Sequence, residues 1–377
     1  MRVLVVGAGI GGLGLAAGLT RAGIEVEVVE QAEQVRAHGS GVTLFANGFG
    51  ALDALGIGDD VRTAAGAAGT YSSGSRRPDG SWLMRLGGAA ENLRVIDRAE
   101  LYRVLLAAVP RDSVRTASRV VGLGDGGVVL EGGTELAADV VVGADGLRSR
   151  VRADAFGDPG IRYAGYGAWR GITEHPVPID AAGETLGRGA RFGIAPLGDG
   201  RIYWFACVSV APAYRAGGLD EVRRRFGDWH DPIGALLDAT DPAAVSYAPI
   251  EELARRLRTF ASGRCALLGD AAHAMTPNLG QGANQALEDA AVLNHLLGRD
   301  LGSAPDIRSI TATLARYDAL RRPRTQRIAR QARLLGTVMQ WRHPFLATVR
   351  DSAIRLAPTA LADRQARNLQ QWSLPAP

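Results

Sequence analysis

The 377-residue chain is 46% hydrophobic and 22% charged, the balance of a folded globular protein with room for two interleaved domains. Its basic residues are all arginine, and a net charge of +4 is too small at this length to argue for nucleic acid or a membrane surface as a partner. Cys207 and Cys265 fit neither a metal-ligand spacing nor a disulfide framework, and no apolar run reaches the ~20 residues of a membrane span, so a cytoplasmic setting is expected.

Val3–Val6 is a β-branched apolar run of the kind that forms a buried parallel strand. Gly7, Gly9 and Gly12 then match GxGxxG, a helix of small residues follows from Leu13 to Arg21, and a second strand, Glu25 to Val29, ends at Glu30. Strand, glycine turn, helix, strand and terminal acid make up a dinucleotide-binding βαβ unit. Gly7 makes the turn, Gly9 lets a pyrophosphate approach, and Gly12 lets helix and strand pack closely. Glu30 is expected to hold ribose hydroxyls, which favours FAD or NAD over NADP in this slot.

Residues 36–48 read as a loop with Gly39, Gly41 and an Asn47-Gly48 turn, and a helix resumes from Phe49 to Leu55. Residues 70–86, with a Pro78-Asp79-Gly80 turn, read as a hairpin. Asp97 is the expected N-cap of a helix from Arg98 to Val109. A cation on a first turn is electrostatically misplaced, so Arg98 is read as aimed at a bound phosphate or flavin. Strands are expected at Val114–Leu123, Gly127–Leu130 and Leu136–Val142. The last of these leads into Gly143-Ala-Asp145-Gly146 at the sheet edge where open α/β sheets collect ligands.

From Ile161 to about Phe260 β-like alternation and aromatic residues dominate. Residues 189–206 read as a hairpin whose rings suit one wall of a pocket for a flat organic molecule. Helices are expected at Leu219–Trp229, Pro232–Ala239 and Leu253–Phe260, with a strand at Val245–Ile250. A short strand starting at Cys265 ends at Gly269-Asp270. Pro277, Gly280 and Gly282 shape a loop, and a helix begins near Gln281 or Gly282. Gly280 and Gly282 leave backbone bare, the unpaired N–H groups of that helix start suit an anionic oxygen, and Asp270 can accept from sugar-type hydroxyls. His273 is read as fixing the loop. Residues 306–336 form an Arg-rich helix with a solvated face, and residues 339–377 an apolar tail packed over the second domain.

Together the glycine turn with Glu30, the Asp97-Arg98-Ala-Glu-Leu101 helix start, Gly143-Ala-Asp145-Gly146, and the run from Gly269 through Pro277, Gly280–Gly282 and Asn284 to Glu288-Asp289 resemble the class A FAD-dependent aromatic hydroxylases. Ala164-Gly165-Tyr166 through Trp169-Arg170-Gly171 is similar to the branch holding salicylate hydroxylases, zeaxanthin epoxidases and FAD-dependent urate hydroxylases. The resemblance implies an α/β fold: a Rossmann-like FAD-binding domain of the para-hydroxybenzoate-hydroxylase type, interleaved with a β-sheet substrate domain and followed by a C-terminal helical segment. Residues 1–74, 97–160 and 261–330 would bind FAD, 75–96 and 161–260 would form the substrate domain, and 331–377 the tail.

It further implies FAD contacts from Gly7, Gly9, Ile10, Gly11, Gly12, Leu13, Glu30, Gln31 and Val42. Arg98, Val121 (or Val120, through backbone to the adenine), Asp145 and Gly146 would add to these. Asp270, Pro277, Gly280, Gln281, Gly282, Ala283 and Asn284 would complete the site. Arg191 and Tyr203 stand where the urate enzymes place substrate contacts. The implied reaction uses NADH or NADPH as a transient donor. It inserts one atom of O2, by way of a flavin C4a-hydroperoxide, into an aromatic or heteroaromatic small molecule, in a monomer or homodimer. A reductase of the geranylgeranyl-reductase type and a non-catalytic flavin-loaded binding protein are the alternatives.

Overall fold

The computed structural model describes residues 1–35, 40–67, 71–86, 93–301 and 305–375. Arg2–Val6 is the central strand of a six-stranded sheet. It lies parallel to Glu25–Val29 on one side and to Val140–Gly143 on the other, with Cys265–Leu267 beyond the latter and Val114–Arg115 beyond the former. Every side chain of Val3–Val6 is buried, as a strand covered on both faces requires. The Ile10–Arg21 and Gly282–Asp300 helices pack against each other on this sheet. Their contact surface uses small residues. A Cβ on Gly18 would fall 2.9 Å from Asn294, and one on Gly11 3.1 Å from Ala286.

The second sheet has seven strands in the order Ser246–Leu253, Ile161–Ile172, Ile202–Ser209, Ala190–Pro196, Ala181–Leu186, Ser72–Arg76, Trp82–Leu86. The outer pair comes from early in the chain, so the polypeptide leaves the first sheet, adds two strands to the second, and returns. On one face Trp169, Phe192, Trp204 and Val208 pack under the Leu219–Phe226 and Ile233–Asp238 helices. The alternate residues are left facing the first domain.

Local expectations fail where distant partners decide. Gly41–Leu44 is a strand paired with Arg94–Asp97, and Asn47-Gly48 lies inside the Ala46–Ala54 helix, not in a turn. Gly39 and residue 70 lie outside the described residues. Val114–Leu123 is two strands, Val114–Arg115 in the first sheet and Val120–Leu123 in a separate three-stranded sheet. Leu253–Phe260 is not a helix. Leu253 ends a strand paired with Ile161, and the Phe260 N–H donates to Asp318 Oδ1 at 2.7 Å, so tertiary partners override helical spacing. The tail, helices Pro344–Leu356 and Thr359–Gln370, touches the Trp82–Leu86 strand but also reaches the first domain, with Trp372 over Gly50. No helix among the described residues is long and apolar enough to cross a membrane.

Candidate active site

A cavity of about 1230 Å³ lies between the two sheets. One wall is made of glycine and helix starts: Gly9–Gly12, Gly146, Asp270 and Gly280–Ala283. Gly7 and Gly12 are demanded by packing. Gly7 has φ +106°, and a Cβ on Gly12 would stand 2.1 Å from the Gly7 carbonyl. At Gly9 and Gly282 the space is open instead, since an added Cβ would meet nothing closer than 3.9 Å at the first and nothing within 4 Å at the second. Neither the Ile10–Arg21 nor the Gly282–Asp300 helix is capped by a side chain, so their first N–H groups are left for a ligand. Asp270 exposes its carboxylate on the same wall, and Arg98 and Val42 line the cavity nearby. Bare backbone, two helix dipoles, a cation and a free carboxylate match the diphosphate, ribityl chain and flat ring of FAD.

Not every expected contact lines this cavity. Gly7 and Leu13 are packed beneath it. Asn284 is fully buried: its Oδ1 accepts from Phe45 N–H at 3.0 Å, and its amide donates to the Thr43 and Gly280 carbonyls, each at 2.9 Å. It shapes the wall from behind. Asp145 turns its Oδ2 away to accept from the N–H groups of Arg150 and Val151. Glu30 sits beyond the cavity and accepts from Ala8 N–H and Ala32 N–H, each at 2.9 Å, one on each oxygen. Gln31 is exposed, and Val121, also exposed, stands at the rim of the separate three-stranded sheet.

The second wall is one face of the seven-stranded sheet. Ala168 and Arg170, Ala182, Glu184 and Leu186, Arg191 and Ala195, Tyr203, Phe205 and Cys207 alternate along their strands and all line the cavity. Arg191 and Tyr203 are therefore both present, but Arg191 is not free. Nη1 contacts Glu184 Oε2 at 3.1 Å, Nη2 donates to Asn278 Oδ1 at 2.8 Å, and the guanidinium lies over the Tyr166 ring. Burial opposes its charge most strongly, yet Glu184, Cys207 and Tyr166 together raise its pKa. Tyr203 is buried with its ring against Gly41, and burial raises its pKa although Arg170 pulls the other way. Burial likewise pushes Tyr166 up to about 12 against the pull of Arg191.

Behind the first wall lies a buried polar network whose pairings sequence spacing did not reveal. Arg321 donates from Nε to Asp289 Oδ1 at 2.6 Å and from Nη1 to Glu288. Asp289 Oδ2 receives the Gly269 N–H at 2.9 Å and stands 2.5 Å from His273 Nε2. Asn47 donates to both Gln281 and Glu288. His273 is 4% exposed and does not line the cavity, so it holds the Gly269-Asp270 turn from below. Arg152, equally buried, donates to the carbonyls of Leu147 and Ala271 and so ties the Gly146 and Asp270 turns together.

Residues 1–332 match the family described as FAD binding domain. The chain is 37% identical to the aurachin C monooxygenase/isomerase of Stigmatella aurantiaca, covering 98% of each chain. It is 35% identical to the 2-heptyl-3-hydroxy-4(1H)-quinolone synthase of Pseudomonas aeruginosa, covering 96% of this chain and 95% of the other. Klebsiella pneumoniae HpxO complexed with FAD and uric acid superposes with a TM-score of 0.84 at 29% identity, over 98% of this chain and 96% of that one. The chain belongs to the FAD binding domain family and is one of its FAD-dependent monooxygenases.

Proposed function

We propose that the chain oxygenates a flat, neutral N-heteroaromatic molecule of the 4(1H)-quinolone kind, in the cytoplasm, where NADH or NADPH is at hand to dock transiently. The observation that carries this reading is that one cavity has helix starts on one wall and an aromatic sheet face on another. The name of the Pseudomonas aeruginosa relative, a 3-hydroxy-4(1H)-quinolone synthase, supports the substrate type.

In this reading the N–H groups of Ile10, Gly11 and Gly12 hold the diphosphate of FAD, and Arg98 adds a cation. Asp270 accepts hydrogen bonds from the ribityl hydroxyls. Glu30 retains a lone pair on each oxygen for the adenosine ribose, and backbone near Val121 meets the adenine. Gly280, Gln281, Gly282 and Ala283, with the dipole of their helix, favour negative charge on the ring they face. When bound, FAD supplies the electron transfer and oxygen activation that the side chains lack. Tyr203 and Phe205 offer the substrate an apolar, ring-lined floor that keeps water from the reacting carbon.

The test is direct. The purified protein is expected to be yellow and to oxidise NADH or NADPH faster when offered 4(1H)-quinolone, releasing a product heavier by one oxygen drawn from labelled O2. Acceleration by none of a panel of quinolones, phenols and purines would end the proposal.

A further inference from the structure

We propose that Glu184 is the group that meets the substrate's N–H or O–H, so that the cavity selects neutral hydrogen-bond donors and turns away carboxylates; this deepens the oxygenase reading and rests on it. Arg170, Phe205, Gly193, Glu184 and Ser75 are successive cross-strand partners, so they share one row on the cavity face of the sheet. The Phe205 ring folds over Gly193, where a Cβ would come within 2.1 Å of it. Gly193 in turn pairs directly with Glu184. Aromatic floor and carboxylate are therefore neighbours, and a flat molecule lying on Phe205 has an edge beside Glu184.

Charge decides what that edge meets. The Arg191 side chain is 3% exposed and that of Glu184 32%. Arg191 spends its two terminal nitrogens on Glu184 and Asn278, and its Nε is enclosed without a partner. What remains accessible at this spot is the carboxylate, an acceptor, paired with a cation that the ligand does not touch. At the other end of the row Arg170 lies beside the Tyr203 hydroxyl. In place of an arginine awaiting an anion, the floor at this spot presents an anion awaiting a donor. An N–H or O–H hydrogen bonded to a carboxylate leaves more electron density on its conjugated ring carbons, the positions an electrophilic oxygen attacks. No net proton transfer is needed.

The experiment uses the FAD-loaded enzyme, with affinity read from perturbation of the flavin absorbance and coupling from NADH oxidation. The probes are two matched pairs, 4(1H)-quinolone with its N-methyl derivative and a phenol with its methyl ether, plus salicylate as the carboxylate. In the native protein each donor should bind about tenfold or more tighter than its methylated partner, as expected for one charge-assisted hydrogen bond, and salicylate more weakly than the phenol. Glu184→Gln keeps an oxygen for Arg191 but removes the charge; the donor preference should shrink to about threefold or less and salicylate should gain. Equal binding within both pairs in the native protein, no binding of either donor, or full discrimination retained in Glu184→Gln overturns the proposal. If Glu184→Gln does not fold, the native comparison alone decides. Donor-selective binding without oxygenated product would instead defeat the oxygenase reading and leave Glu184 in place; oxygenation of both members of each pair at equal affinity would do the reverse.

Discussion

Asn284 holds Phe45: its Oδ1 accepts the Phe45 N–H at 3.0 Å while its amide grips the Thr43 and Gly280 carbonyls, each at 2.9 Å. One buried side chain thus joins the Gly41–Leu44 strand, the start of the Ala46–Ala54 helix and the glycine loop of the cavity wall. Gly48 must be glycine for this approach, since a Cβ there would stand 2.1 Å from the Asn284 oxygen. Asn284→Ala leaves three backbone groups without their partner and should cost roughly 2–4 kcal/mol in urea unfolding. FAD affinity should fall with it, because Gly280 lines the site.

Two glycines in the same wall should respond in opposite ways to alanine. A Cβ on Gly12 collides with the Gly7 carbonyl at 2.1 Å, and backbone cannot yield cheaply, so Gly12→Ala should fail to accumulate as folded protein. A Cβ on Gly282 meets nothing within 4 Å. Gly282→Ala should unfold at the same temperature as the native apoprotein or slightly higher, since alanine favours the helix by ~1 kcal/mol. Its FAD dissociation constant, measured by fluorescence titration, should nonetheless rise about tenfold, because the methyl group occupies ligand space. Unchanged FAD affinity in Gly282→Ala would mean that this helix start does not meet the cofactor.

These cases mark what was legible in the chain. Strand, turn and helix from Val3 to Val29 follow from local stereochemistry alone, as does the Asp97 cap, which accepts from Ala99 N–H at 3.0 Å. The Arg191–Glu184 pair was hidden because it depends on which strands lie side by side, and no spacing between residues 184 and 191 announces that. Leu253–Phe260 has apolar residues at helical intervals, and partners far off in sequence, Ile161 and Asp318 among them, hold it out of a helix. The Arg-rich run around Pro323 read as a solvated face, yet Arg321 is 1% exposed with two carboxylates around it. Composition reports charge but not the partner that lets charge be buried.

Arg321 is therefore the arginine whose loss should be felt most. Arg321→Leu strands Asp289, which keeps only His273 and the Gly269 N–H, whereas Glu288 is still held by Arg324 at 2.7 Å. Removing one partner of a buried pair costs about 3–5 kcal/mol. Arg321→Lys should recover only part of this, since a single ammonium cannot reach Asp289, Glu288 and Gln285 in the fixed fork that the guanidinium uses. Urea midpoints of the native protein and both variants check the order: native above Lys above Leu.

Asp289 gives the same network a pH signature. Burial alone would raise its pKa, but His273, Arg321 and the Gly269 N–H together hold it below the ordinary carboxylate value. A folded-state pKa below the unfolded one means that the stabilisation is fully present above the unfolded value of about 3.9 and is lost as pH falls through the folded value. Asp289→Asn cannot titrate and cannot answer the charge of Arg321, so it should be less stable than the native protein at pH 7. The gap between the two should stay constant from pH 7 to about 5 and narrow progressively below pH 4. Urea unfolding of both proteins across that range is the measurement. A gap that stays constant down to pH 3 would show that Asp289 is not held ionised by its neighbours.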